Sequence, residues 1–229
     1  MREWRVEVDG EATRVLYEPA TAPSRAVLLC AHGAGGHMND SSMARLAPIL
    51  RARGLDLVRF NFIYREQGSR RPDPMPRLEA CITAVAERVR RELDPRVLLA
   101  GGRSMGGRAA SMLAAKGRPF DGLMLFAYPL HPAGQPEKLR DAHLNRITVP
   151  VLCMNGTRDP LCRRDLMERV LGGVHTPWRM HWLDGADHSF HVLKSSGRSD
   201  DDVLAEVEEI GEAWISALAA TAERSRNHV

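Results

Sequence analysis

The hydrophobic residues of this chain occur in short, mostly apolar runs that are separated by longer amphipathic segments. Glycine or proline residues flank most of these runs. Runs of four to eight residues with such flanks are typical of β-strands that are buried on both faces. They are Ala26–Cys30, Leu55–Phe62, Val97–Ala100, Leu123–Phe126 and Val149–Met154, and a last strand is predicted at Trp178–Leu183.

Segments with helical periodicity alternate with the apolar runs. The alternation of strands and helices predicts a mostly parallel sheet that is covered by helices on both faces. The predicted helices are Ser41–Arg53, Pro76–Leu93, Met105–Lys116, Pro136–Leu144, Asp165–Leu171 and Asp200–Ala222.

The first residues follow a different pattern, in which polar and apolar positions alternate. Trp4–Val8 and Thr13–Tyr17 alternate in this way, and Asp9-Gly10 between them is a typical hairpin turn. We therefore expect two antiparallel strands at one edge, which makes eight strands in all. The stretch Tyr64–Pro74, which is rich in arginine and proline, is predicted to lack regular structure.

Length and composition are compatible with one α/β domain. A chain of 229 residues can bury a substantial core, and we assign residues 1–222 to a single domain and 223–229 to a polar, frayed tail. A net charge of +3 is too small to predict a nucleic-acid partner. No apolar run is long enough to predict a membrane span or a signal peptide. The four cysteines match no metal motif, and Cys30 and Cys153 lie within apolar runs, so we expect buried thiols and a cytoplasmic location.

The stretch Gly102-Arg103-Ser104-Met105-Gly106 is the strongest chemical signal in the sequence. It has the form G-x-S-x-G and lies between a predicted buried strand and a predicted helix. This is the context of a nucleophile elbow, in which a tight turn holds a serine in a strained, exposed position. Ser104 is therefore the candidate nucleophile.

A serine nucleophile needs a base to take its proton and an acid to orient that base. Asp159 follows the run Val149–Met154, and His188 follows the last predicted strand, so the chain order is serine, acid, histidine. We assign Asp159 as the acid and His188 as the base. The alternatives are Asp184 and Asp187 for the acid, and His181 and His191 for the histidine.

Backbone N–H groups are expected to stabilise the developing oxyanion. One belongs to Met105, and the second is predicted in the glycine-rich loop His32–His37, with Ala34 preferred over Gly33 or Gly35.

Several neighbouring residues are candidates for substrate binding: Gly33, Gly35, His37 and Arg65. His37 either borders the pocket or caps the helix near Ser41, whereas Asp40 is expected to cap that helix. Arg65, Arg70 and Arg71 either recognise an anionic group or form a solvated loop. For Arg103 we expect a structural role.

Longer sequence blocks resemble one family of small bacterial α/β-hydrolases that is similar to the dienelactone hydrolases. The blocks are Gly101–Arg108, His32–Gly36, Tyr128–Pro132, Gly156–Asp159 and Asp187–Phe190. The resemblance extends over about residues 25–215 and implies the α/β-hydrolase fold, with the triad at Ser104, Asp159 and His188. Eukaryotic relatives include a testis-expressed protein and a subunit of a histone acetyltransferase complex. Dienelactone hydrolases proper use a cysteine nucleophile, so serine at position 104 favours ester chemistry.

These observations predict a serine hydrolase that acts on a small or short-chain carboxylic ester without a cofactor or a metal. Only about 22 residues separate Phe126 from Val149, too few for a separate lid domain, so an open site is expected. Two alternatives remain. One is a thioesterase or small peptidase with the same triad, and the other is a non-enzymatic interaction module on the same fold.

Overall fold

An eight-stranded, mostly parallel sheet organises the molecule. The computed structural model of the chain describes residues 1–226, with side chains as far as Thr221. The strand order is β1-β2-β4-β3-β5-β6-β7-β8. The six strands from β3 to β8 are parallel, and the hairpin β1–β2 joins the edge of β4 in antiparallel fashion. The strands are β1 (Arg2–Val8), β2 (Glu11–Glu18), β3 (Ala26–Ala31), β4 (Leu55–Phe60), β5 (Leu98–Arg103), β6 (Gly122–Phe126), β7 (Val151–Gly156) and β8 (Trp178–Leu183).

Helices cover both faces of the sheet and bury two separate apolar clusters. One cluster joins the sheet to α3 and α4, for example through Val85 and Leu113, and the other joins it to α1 and α6 through Leu50 and Val207. The helices are α1 (Ser41–Ala52), α2 (Ile63–Glu66), α3 (Met75–Leu93), α4 (Met105–Ala114), α5 (Arg164–Leu171) and α6 (Asp200–Arg226). This architecture confirms the predicted fold class. Residues 227–229 of the predicted polar tail lie outside the described residues.

Two predictions of local structure were wrong. No α-helix forms at Pro136–Leu144, where the chain makes turns and then a short 3₁₀ helix at Leu144–Arg146. Long-range hydrogen bonds explain this, because Arg140 donates its N–H to Leu130 O at 2.7 Å and accepts from the Tyr128 hydroxyl at 2.9 Å. The segment Tyr64–Pro74 is not wholly irregular either, since it begins within α2.

All four cysteines are buried and unpaired, as predicted for Cys30 and Cys153. Burial raises the pKa of the Cys30 thiol to about 12, so this side chain stays protonated and behaves as a small apolar group. Over the part of the chain that the structure describes, none of the helices combines the length and apolar character that crossing a lipid bilayer requires.

Glycines at the end of β5 and at the start of α4 let the backbones of these two elements and of β3 come unusually close together. Gly102 has φ of +127°, and a Cβ atom there would overlap the carbonyl oxygen of Ala31 in β3. A Cβ at Gly106 would lie 2.6 Å from that same oxygen. The turn between β5 and α4 therefore depends on residues that have no side chain.

Gly102→Ala is expected to destabilise the protein by more than about 3 kcal/mol, because it combines a strained φ with a backbone overlap. Gly117→Ala is the matched control, since Gly117 also has a positive φ, of +77°, but a Cβ atom there would have no neighbour within 4 Å. Gly117→Ala should lower the free energy of unfolding by about 1 kcal/mol. Chemical denaturation of both variants measures the difference, and equal costs would contradict the close-approach argument.

Candidate active site

Ser104 lies in the sharp turn between β5 and α4. Its backbone is in a sparsely populated region, with φ of 47° and ψ of −114°. A non-glycine residue at such a φ is strained and persists only where its surroundings hold it. The Ser104 N–H contributes to this by donating to Phe126 O at 2.9 Å. The elbow conformation predicted from the sequence pattern is therefore present.

The structure brings His188 and Asp159 to the same place as Ser104. Nε2 of His188 lies 3.0 Å from Ser104 Oγ, and Nδ1 of His188 lies 2.8 Å from Oδ2 of Asp159. An ionised carboxylate can only accept a hydrogen bond, so Nδ1 of His188 carries the hydrogen that is donated to Asp159. Nε2 is then free to accept the serine hydroxyl proton.

Asp159 is held by a buried polar network. Its side chain is fully buried, and Oδ1 accepts the N–H of Leu161 at 2.8 Å. Oδ2 accepts a second hydrogen bond, from Nδ2 of Asn155 at 3.2 Å. Asn155 itself accepts from the Tyr128 N–H at 2.9 Å and donates to the Tyr128 carbonyl at 3.0 Å. Each amide hydrogen of Asn155 thus has a partner, and the carboxylate is fixed in position.

Asn155 was not among the residues predicted from the sequence to form the site. A signal was available, because a polar residue at the end of an apolar run is the same feature that identified Asp159.

The competing acids have other partners. Asp184 accepts from the Thr157 hydroxyl at 3.3 Å, and Asp187 accepts the N–H groups of Ser189 and His191. Among the described hydrogen bonds, the ring of His188 pairs with Asp159 and with neither of these two carboxylates. Asp187 shapes the loop that carries this histidine.

Arg103 connects β5 to the loop that carries His188. It is buried, and its guanidinium group donates from Nη2 to the carbonyl oxygen of His188. The same group lies 5.2 Å from the ring centroid of Phe190, where it forms a cation–π contact. Burial lowers the pKa of Arg103. These contacts fit the structural role expected for this residue.

The loop after β3 carries the second predicted oxyanion donor. Within the described residues, the backbone N–H groups of Ala34 and Met105 donate no hydrogen bond, and both residues line the cavity that contains Ser104. Gly33 lies beside Ser104, since a Cβ there would be 3.6 Å from Ser104 Cβ. The N–H groups of Ala34 and Met105 are therefore available to a reacting oxygen.

His32 orients the peptide bond between Gly33 and Ala34. Its Nδ1 lies 2.8 Å from Gly33 O, and its Nε2 accepts the Phe62 N–H at 3.1 Å. Because a trans peptide directs its C=O and N–H in opposite directions, holding the Gly33 carbonyl also fixes the direction of the Ala34 N–H. Burial lowers the pKa of His32 to about 4, so the ring is neutral near pH 7 and keeps both bonds.

The cavity in front of Ser104 has a volume of about 330 Å³. Residues 127–150 connect β6 to β7 and form much of its wall without forming a separate domain. Besides Ser104, Met105 and Ala34, the wall contains Arg108, Pro129, Pro132, Ala133, Arg140 and Leu161. The sequence pattern does not identify Arg108 or Arg140 as wall residues, since it shows neither where the side chain of Arg108 on α4 points nor which way the segment 127–150 turns.

The other candidates lie away from this wall. His37 is exposed and accepts the Asn39 N–H at 3.1 Å, and Asp40 caps α1 by accepting the Met43 N–H at 3.0 Å. Arg65 donates to Ser69 O at 2.8 Å. A substrate-binding role for His37 or Arg65 stays a prediction.

The alternative histidines are also accounted for. His181 lies 2.7 Å from Glu206, and His191 pairs with Asp200. In the described part of the chain, no three side chains of the His, Cys, Asp or Glu type converge as they would around a metal ion.

Known structures share this fold across nearly their whole length. An α/β serine hydrolase homologue from Coxiella burnetii has 19% sequence identity, covers 93% of this chain and 96% of its own, and superposes with a TM-score of 0.74. An α/β serine hydrolase from Xanthomonas campestris, described as lacking a lid, has 22% identity, coverage of 93% and 94%, and a TM-score of 0.74. A dienelactone hydrolase from Anabaena variabilis has 20% identity, coverage of 94% and 97%, and a TM-score of 0.71.

A family model described as an alpha/beta hydrolase domain matches residues 24–216. The match includes the serine turn, the loop after β3 and the loops that carry Asp159 and His188. The chain therefore belongs to this family of alpha/beta hydrolase domains.

Proposed function

We propose that the protein is a serine hydrolase that cleaves a small or short-chain carboxylic ester through an acyl-enzyme intermediate. The observation that carries the proposal is the continuous chain of contacts from Ser104 Oγ to His188 Nε2 and from His188 Nδ1 to Asp159. This chain ends at a cavity large enough for a small acyl group.

Acylation begins when Ser104 Oγ attacks the ester carbonyl and its proton passes to Nε2 of His188. Asp159 holds the imidazole in the required tautomer and stabilises the cation that forms. When the tetrahedral intermediate collapses, the bond to the alcohol oxygen breaks. His188 gives its proton to that oxygen, and the alcohol leaves.

Deacylation repeats the same proton transfers with water. His188 takes a proton from a water molecule as the water oxygen attacks the acyl carbonyl, and it then returns a proton to Ser104 Oγ. The carboxylic acid leaves, and the enzyme is restored.

The N–H groups of Met105 and Ala34 are the proposed donors to the oxyanion in both steps. Because the peptide between Gly33 and Ala34 is fixed by His32, its N–H does not have to reorient as charge develops. The loss of one such donor typically raises a barrier by about 3–4 kcal/mol.

The named activities of the similar structures are compatible with this chemistry, because a dienelactone is itself an ester. The four buried, unpaired cysteines suit a reducing compartment and support the proposed cytoplasmic location.

The first test is covalent labelling by a neutral fluorophosphonate probe that carries a fluorophore. We expect the unmodified protein to be labelled and Ser104→Ala to take no label, because only an activated serine hydroxyl displaces fluoride from phosphorus. Ser189→Ala is the matched control and should be labelled normally. A folded, unmodified protein that takes no label would favour the interaction-module alternative.

The second test separates the three candidate acids. Asp159→Asn should lower kcat for p-nitrophenyl acetate by about 10⁴-fold, because an amide at this position favours the wrong imidazole tautomer. Asp184→Asn and Asp187→Asn should each keep the hydrogen bond between His188 and Asp159. Neither variant should therefore lower kcat as much as Asp159→Asn does. Thermal denaturation of the variants checks folding, and a well-folded Asp159→Asn protein with full activity would remove Asp159 from the mechanism.

The third test concerns substrate size. A cavity of about 330 Å³ should favour acetyl to hexanoyl esters, and kcat/KM should fall by about tenfold or more by decanoyl, since longer chains extend beyond the cavity. A panel of p-nitrophenyl esters of graded length measures this, together with the matching thioesters. A kcat/KM that keeps rising with chain length would contradict the expectation.

A further inference from the structure

Two arginine side chains form part of the wall of the cavity that contains Ser104. Arg108 lies one helical turn after the nucleophile, and its N–H donates to Ser104 O at 2.9 Å. Arg140 comes from the segment 127–150 and lines the same cavity. Both side chains are partly buried.

Neither guanidinium group has a carboxylate partner among the described residues. Arg108 takes part in no ion pair there, and its Nε is buried without a hydrogen-bond acceptor. Within the described residues, Arg140 forms one side-chain hydrogen bond, from Nη1 to Pro129 O, at a long 3.5 Å. The two most buried arginines of the described residues both have close partners, since Arg59 lies 2.6 Å from Glu18 and Arg103 donates to the carbonyl oxygen of His188.

The two charges also act on each other and on their surroundings. The pKa of Arg140 is lowered, first by burial and then by the charge of Arg108. Burial, followed by the charges of Arg108 and Arg146, lowers the pKa of His143 to about 4, so this neighbour is neutral near pH 7. Asp141 acts in the opposite sense on His143, but among the described residues no acidic side chain forms an ion pair with Arg108 or Arg140.

An unbalanced pair of partly buried cations is unfavourable unless an anion completes it. The guanidinium group presents a planar fork of donors that matches a carboxylate or phosphate group. The apolar wall residues Pro129, Pro132 and Leu161 suit the short hydrocarbon part of an acyl group. The cavity therefore offers a candidate nucleophilic serine, an apolar wall and a cationic wall within one small volume.

We propose that Arg108 and Arg140 bind an anionic group on the substrate, so that the enzyme acts on short acyl esters that carry a second acid function. The monoester of a short dicarboxylic acid is the simplest compound of this class. This inference rests on the proposed function for the identity of the reacting ester, but not for the anion-binding site itself.

The wild-type test compares two esters with the same four-carbon acyl chain, monomethyl succinate and methyl butyrate. We expect kcat/KM for monomethyl succinate to be at least about tenfold higher, since each charge-assisted hydrogen bond contributes roughly that factor. Raising the ionic strength should reduce this ratio, because part of the attraction is screened. A ratio near one at low salt would overturn the proposal.

Substitutions then locate the effect. Arg108→Gln and Arg140→Gln should each reduce the ratio of the two kcat/KM values by about tenfold, and the lysine variants should keep part of it. Arg91→Gln is the control for net charge, because Arg91 lies on the exposed face of α3, and it should leave the ratio unchanged. An unchanged ratio in folded glutamine variants would exclude these two residues.

Calorimetric binding of succinate and of inorganic phosphate separates this inference from the proposed function, because binding needs no turnover. We expect the unmodified protein to bind at least one of the two anions and both glutamine variants to bind it more weakly. If the protein binds succinate but Ser104 takes no fluorophosphonate label, the proposed function fails and the anion site stands. If neither anion binds while Ser104 is labelled, the anion site fails and the proposed function stands.

Discussion

The close approach of β5, β3 and the start of α4 is the constraint on which the rest of the site depends. Ser104 occupies a strained backbone conformation, and the structure holds it there because Gly102 and Gly106 allow neighbouring backbone to lie where side chains would otherwise stand. The same contact aligns the end of β3 with the serine turn. The loop that follows β3 therefore brings Ala34 to the same cavity as Ser104.

Buried polar groups hold the remaining parts of the site, and each of them has its partner. Asn155 uses both amide hydrogens and joins the end of β7 to the end of β6 through Tyr128. Arg103 donates a hydrogen bond to the carbonyl oxygen of His188, and His32 forms a hydrogen bond with the carbonyl oxygen of Gly33. Because an unsatisfied buried polar group costs free energy, these bonds restrict the loops to one arrangement. Arg108 differs from these groups, because its Nε is buried without a hydrogen-bond acceptor among the described residues.

Local sequence signals and tertiary contacts disagreed most clearly in the segment between β6 and β7. Pro136–Leu144 has a composition that suits a helix, but Arg140 exchanges hydrogen bonds with Tyr128 and Leu130 instead. Backbone groups committed to such distant partners cannot also complete a helical turn. The result places Arg140 on the cavity wall, a position that no pattern in this segment indicates.

The sequence by itself determined the order of the strands and of the five longer helices along the chain. It also determined the hairpin at the edge, the turn at Ser104 and the positions of Asp159 and His188 at the ends of later strands. These features follow from local periodicity, from glycine placement and from the rule that the ends of parallel strands share one edge. Only the tertiary structure decided that Asp159 and His188 contact each other, that Asn155 holds Asp159, and that Arg108 and Arg140 share a cavity. Those contacts join residues far apart in the chain, and their geometry depends on how the sheet and its loops pack together, which local sequence does not encode.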